Sequence, residues 1–184
     1  MSGSVPGPPV PVPLVPATPS DAAAAARWVA SAEDVLVFAG PRLAYPLDPA
    51  SLLEPGPDGW VAHALRDGGM TVGIGSVRRV DATTARVGRV LVDPSRRGEG
   101  WGRALMVALV EAAAALPGVR TVTLGVWRTN TGALALYRAL GFVETGVRET
   151  QVGDEVWESL EMALLLVTPP RAAGPGSRRS RSTG

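Results

Sequence analysis

Apolar positions along this chain switch between two spacings. Short, valine-rich or alternating runs predict strands near residues 12–17, 59–66, 70–80, 84–93, 119–127, 142–150 and 154–167. Helical spacing predicts a helix over 21–31 with Ser20 as its N-cap, and a second helical segment follows the turn around Tyr45-Pro46-Leu47-Asp48. Ala104, Leu105, Val107, Ala108, Leu109 and Ala112 then set a helix over 100–116. Ala133, Leu136 and Leu140 set another over 131–140, which Asn130 opens and Gly141 stops. Asp67-Gly68-Gly69 and Asp81-Ala82-Thr83 read as hairpin turns. The order β-α-α-β-β-β-α-β-α-β-β describes one mixed α/β domain without internal repeats.

Composition narrows the classes of function. At 184 residues the chain has room for a single domain with a proper core. Cysteine is absent, which excludes disulfides, thiolate metal sites and a cysteine nucleophile. No apolar stretch has the length of a membrane span, and the proline-rich start lacks the pattern of a signal peptide. The expectation is a cytoplasmic protein with no membrane partner. Residues 1–11 and 169–184 read as disordered tails around a domain at 12–168. Arg171, Arg178, Arg179 and Arg181 lie in the second tail, whereas all 17 acids precede it, so the formal net charge of +1 originates there. That cluster lacks interleaved aromatic residues, and a nucleic-acid partner is not expected.

The densest chemistry lies in Val90-Leu91-Val92-Asp93-Pro94-Ser95-Arg96-Arg97-Gly98-Glu99-Gly100-Trp101-Gly102-Arg103. A strand here breaks at proline and enters a helix through glycines, an arrangement that gathers unpaired backbone N–H groups where the helix dipole favours an anion. A Walker loop is excluded because the chain contains no lysine, and the glycine spacing does not fit the dinucleotide fingerprint. By itself the loop fits a phosphate site and a tight helix–sheet turn about equally.

A second block separates these readings. Asn130-Thr131-Gly132-Ala133-Leu134-Ala135-Leu136-Tyr137-Arg138-Ala139-Leu140-Gly141-Phe142 follows a clear strand. An amphipathic helix explains its apolar positions but requires neither Asn130 nor Tyr137. Together, Arg97-x-x-Gly100-x-Gly102 and N-x-x-A-x-x-L-Y-x-x-x-G-F resemble the two signatures of the GCN5-related N-acetyltransferases. The resemblance implies a central, mostly antiparallel sheet splayed at the cofactor strand and flanked by about four helices. It also implies transfer of acetyl from acetyl-CoA to the amine of a small molecule or peptide by direct attack in a ternary complex. The competing expectation is a catalytically weak module that senses acyl-CoA, and a homodimer is allowed.

Residue by residue, the resemblance gives Val90, Leu91 and Val92 to the pantetheine arm, with backbone at Val92 polarising the thioester carbonyl. Gly98, Gly100, Gly102 and Arg103 are expected to donate N–H groups to the pyrophosphate, with Arg97 adding positive charge; Glu99 and Trp101 belong to the same cofactor site, Trp101 packing under the loop. Asn130 and Tyr137 fall to the cofactor, and Tyr137 also to the role of general acid. Phe38, Arg42, Tyr45 and Arg89 are expected at the acceptor. Relatives carry a glutamate base where this chain has Arg86 or Gly88, and Gly125, leaving Glu149, Glu158 and Asp48 as candidates without positional support. His63 alternates with Val61 and Leu65 and reads as a packed strand residue.

Overall fold

The computed structural model describes residues 12–166, so the expected tails lie outside the described residues. The elements are β1 (Leu14–Pro16), α1 (Pro19–Arg27), α2 (Ala32–Ala39), α3 (Pro49–Leu53), β2 (Val61–Asp67), β3 (Met70–Arg79), β4 (Thr84–Val92), α4 (Trp101–Ala114), β5 (Thr121–Trp127), α5 (Thr131–Ala139), β6 (Val143–Val152) and β7 (Glu155–Leu165). The sheet runs β1-β2-β3-β4-β5-β7-β6. Every neighbouring pair is antiparallel except β4 with β5. Among the described residues no helix is long and apolar enough to cross a membrane.

The sheet is covered on both faces, as alternation along its strands requires. On one face α4 and α5 bury Leu105, Met106, Leu109, Leu134 and Tyr137 against Leu65, Val72, Val87 and Met162. On the other, α1, α2 and α3 bury Ala22, Ala25, Val35, Phe38 and Leu52 around Ile74. The close seat of α4 depends on glycine: a Cβ at Gly75 would fall 2.4 Å from Leu109 Cδ1.

Two boundaries differ from the sequence pattern. Helix α1 is capped by Thr18 instead of Ser20. The Thr18 hydroxyl accepts from the Asp21 N–H at 3.4 Å while Asp21 accepts from the Thr18 N–H at 2.8 Å, with Pro19 at the first position. The predicted helix 21–31 also ends early, at Arg27, because Ser31 turns outward to cap a separate helix, α2, through the Asp34 N–H at 3.0 Å. The sequence pattern placed the second helical segment only after Tyr45-Pro46, so α2, which contains Phe38, was not expected.

A cleft at the splay between β4 and β5

Strand β4 follows β5 only at its beginning, pairing Thr84, Ala85 and Arg86 with Thr121, Val122 and Thr123. Beyond Arg86 the two strands separate. On its other side β4 carries a bulge: Ser76 pairs with Gly88 but Ile74 with Leu91, so Arg89 and Val90 together face Gly75. Arg89 takes a positive φ of 53°, a conformation costing about 1–2 kcal/mol for a residue with a side chain. Such strain commonly accompanies a functional site.

After the bulge the ladder fixes which backbone groups are free. Asp93 N–H donates to Val72 O at 3.0 Å. Antiparallel alternation then directs the Leu91 amide toward β3 and the Val92 N–H and C=O away from it, into the opening. Val92 thus offers the donor expected of it, whereas Leu91 spends its backbone on β3 and its side chain on the α1–α3 cluster. Val90 borders a small cavity of about 50 Å³ in the splay, with Leu124, Asn130 and Tyr137.

Tyr137 is 8% exposed and packs beside Phe142. Burial pushes its phenol up to about 12, so the hydroxyl keeps its proton at neutral pH. Asn130 caps α5, its Oδ1 accepting from Ala133 N–H at 3.2 Å, while also lining the splay. The capping and cavity roles coincide in one side chain.

The loop from β4 to α4 is built from its own polar residues. Asp93 Oδ1 accepts from Ser95 N–H at 2.8 Å and starts a 3₁₀ turn, Pro94–Arg96. Arg96 donates to Glu99 at 2.7 Å and to Asp67 at 3.1 Å, and its guanidinium lies over the Trp101 ring. Trp101 is buried and donates its indole N–H to the same Glu99 oxygen at 3.0 Å. Arg96 is therefore an anchor of this loop. The side chains of Glu99 and Trp101 hold the loop from within, leaving only their backbone for a ligand; Arg97 is exposed. Gly98 and Gly100 have φ of 83° and 90°, values that favour glycine. Helix α4 receives no side-chain cap, unlike α1, α2, α3 and α5. Its first N–H groups, including those of Gly102 and Arg103, are open to an anion.

A larger cleft of about 420 Å³ opens on the α2 side of the splay. Of the residues assigned to the acceptor, Phe38, Arg42 and Arg89 line this cleft, whereas Tyr45 is outside the lining and 47% exposed. Spacing along the chain did not reveal Asp58, Trp60, Arg78, Arg86, Arg148 and Glu161, which distant segments bring to the same walls. Strand register sets Arg78 and Arg86 directly opposite in β3 and β4, a like-charge pair that a sheet otherwise avoids. Glu161, opposite Gly125, accepts from Arg86 at 2.6 and 3.1 Å and from Arg148 at 3.0 Å. A Cβ at Gly125 would lie 2.7 Å from the Arg86 guanidinium, so this glycine makes room for the ion pair. The three carboxylates proposed from sequence lie elsewhere. Glu158 pairs with Arg128, Asp48 caps α3, and Glu149 is exposed in β6. His63 sits in β2 with its Nδ1 3.0 Å from Val61 O, as a packed strand residue. Burial lowers its pKa, and the Val61 carbonyl partly opposes this.

The profile of the acetyltransferase (GNAT) family matches residues 25–142. Over 86 residues the chain is 40% identical to the N-alpha-acetyltransferase RimI of Mycobacterium tuberculosis, covering 45% of this chain and 52% of the relative. Over 94 residues it is 36% identical to the ribosomal protein bS18 alanine N-acetyltransferase of Escherichia coli, covering 51% of this chain and 62% of the relative. These alignments thus span between half and two thirds of the curated relatives' length. Among solved structures, the ribosomal-protein-alanine N-acetyltransferase from Brucella melitensis superposes with a TM-score of 0.67 at 24% identity, over 83% of this chain and 99% of that one. The spermidine N-acetyltransferase from Vibrio cholerae, in complex with CoA and spermine, gives 0.68 at 16% identity, over 84% and 95%. At such identities the structures share a fold.

Proposed function

This chain belongs to the acetyltransferase (GNAT) family, and we propose on that basis that it is a cytoplasmic enzyme moving acetyl from acetyl-CoA to an amine by direct attack in a ternary complex. The observation that carries this reading is the splay after Arg86, with Tyr137 beneath it and the uncapped start of α4 at its end. When bound, acetyl-CoA supplies the activated thioester. The open amides from Gly98 to Arg103 fit its pyrophosphate, and the outward edge of β4 at Val90 and Val92 fits the pantetheine arm. With acetyl-CoA bound, the free Val92 N–H would donate to the thioester carbonyl oxygen and stabilise the negative charge that grows there during attack. Tyr137 would hold a proton for the departing thiolate, and burial, by raising its pKa, keeps the phenol protonated at neutral pH. Deprotonation of the acceptor needs no glutamate at position 86 or 125. The cleft holds five arginines against two carboxylates, and this positive field disfavours an ammonium and favours the neutral, nucleophilic amine.

Calorimetry with acetyl-CoA tests the reading, run beside a Gly100→Glu variant that puts a carboxylate at the mouth of the phosphate loop. Micromolar binding that the variant loses is the expected result. Absence of binding to the intact protein overturns the proposal. Tyr137→Phe is expected to slow thiol release at least tenfold, about 1.4 kcal/mol of barrier, with acetyl-CoA affinity unchanged. An unchanged rate removes Tyr137 from the proton transfer.

A further inference from the structure

We infer that the acceptor is a small amine bearing an anionic group, a carboxylate, phosphonate or phosphate, and that Arg78 and Arg89, both stacked on Trp60, hold this group. The inference rests on the acetyltransferase reading and names its second substrate by chemical class.

The cleft leaves two positive charges without a counterion. Asp58 pairs with Arg42, and Glu161 is shared by Arg86 and Arg148. Arg78 and Arg89 have no carboxylate partner among the described residues, and one nitrogen of each, Arg78 Nε and Arg89 Nη1, is buried without any hydrogen bond. A buried donor left unpaired on a charged group is costly, and an anion seated beside these two arginines would remove that cost. The two guanidiniums are also preorganised. They lie 5.1 and 5.5 Å from the centroid of the Trp60 ring, which orients both without neutralising either. Gly88 makes this stack fit, because a Cβ there would stand 2.8 Å from Trp60 Cη2. Burial, reinforced by the charges of Arg86, Arg42 and Arg148, lowers the pKa of Arg78; burial and then Arg42 do the same to Arg89. An anion would relieve both effects.

Position links the anion site to the chemistry. Arg89 is the strained residue of the β4 bulge and borders both the large cleft and the small cavity holding Tyr137. An anion on Arg89 therefore places the rest of the acceptor beside the splay, and the amine must lie within a few bonds of the anion. A cleft of about 420 Å³ suits a small molecule. A polyamine would bring more positive charge to a wall already rich in arginine.

The test measures thiol release with acetyl-CoA for common L-amino acids and aminomethylphosphonate. Comparison acceptors are the amino-acid carboxamides, spermidine, and an alanine-initiated peptide amide without acidic residues. At least one anionic amine is expected to exceed its uncharged counterpart tenfold or more in kcat/KM. Arg78→Gln and Arg89→Gln are each expected to shrink that ratio toward one, chiefly through KM, while acetyl-CoA affinity stays at the wild-type value and reports folding. Binding of the same amines is read without acetyl-CoA from tryptophan fluorescence, with Trp60→Phe as control. Equal or better use of carboxamides, spermidine or the neutral peptide overturns the inference, as does fluorescence that does not separate acid from amide. If acetyl-CoA fails to bind while the anionic amines bind through Arg78 and Arg89, the transfer reading falls and the anion site stands.

Discussion

Gly88 and Tyr137 show how much a single position decides in this cleft. Gly88→Ala would drive a methyl group into the rigid Trp60 ring, displacing the surface on which two arginines rest. The expected outcome is a rise of about tenfold in acceptor KM, or roughly 1.4 kcal/mol, with little change in acetyl-CoA affinity. Steady-state kinetics with the best acceptor beside calorimetry checks it. Tyr137 makes a prediction in pH. A phenol with a pKa pushed to about 12 by burial stays protonated across the working range, so it imposes no loss of kcat below about pH 10. A rate profile from pH 6 to 10 should rise as the acceptor amine loses its proton and then level off. A fall between pH 8 and 10 that vanishes in Tyr137→Phe would show a phenol far more acidic than this environment makes it.

At the scale of elements, the seat of α4 on β3 is the joint on which the phosphate loop depends. Gly73 and Gly75 let Leu105 and Leu109 reach the sheet, and the helix they admit points its open N-terminus at the loop. Gly75→Ala overpacks this contact and is expected to cost about 1–3 kcal/mol, seen as a lower midpoint in urea with an unchanged slope. The loop has a separate support in Arg96, which ties Asp67, Glu99 and Trp101 together. Arg96→Ala should weaken acetyl-CoA binding several-fold although Arg96 itself is given no contact with the phosphates. Calorimetry on the variant distinguishes this from an unchanged site.

Across the whole molecule, Asp21 ties the α1 layer to the sheet and makes stability depend on pH. Its carboxylate is 1% exposed and accepts from Arg66 at 3.0 and 2.6 Å, from Thr71 at 2.7 Å and from both donors of Thr18. Burial by itself would raise its pKa, but the hydrogen bonds from Arg66, Thr18 and Thr71 outweigh burial and hold it well below the usual carboxylate range. A carboxylate depressed in the folded state contributes stability that is fully present above the unfolded value of about 3.9 and is lost as pH falls below it. Asp21→Asn is expected to cost about 2 kcal/mol at pH 7, less than a fully buried pair because Arg66 remains partly exposed. For a domain of this size that is about 4–8 °C in Tm. Thermal melts from pH 7 to pH 3 should show the gap between wild type and variant closing on the acid side, and a gap independent of pH would refute the linkage.

Local pattern determined a large part of this protein. The seven strands, helices α4 and α5, the glycine loop and the Asn130–Tyr137 block are legible because each depends on residues close in sequence, through period, capping and turn chemistry. Helix α2 was not read from the sequence, although Ser31 with Asp34 three positions on marks its start, because the preceding alanine run carried the first helix through Ser31. The acceptor wall had no such local expression. Arg78, Arg86, Arg148, Glu161 and Trp60 come from different segments, and only strand register sets them side by side. Nor could the chain alone show which arginines are neutralised, since Glu161 lies 75 positions from Arg86. Backbone direction at Val92 and strain at Arg89 likewise follow from how β4 pairs with β3. Sequence therefore determined the elements and the cofactor signatures, because those are short-range. Tertiary structure alone decided the charge of the acceptor cleft, because that charge is a balance among partners only folding brings together.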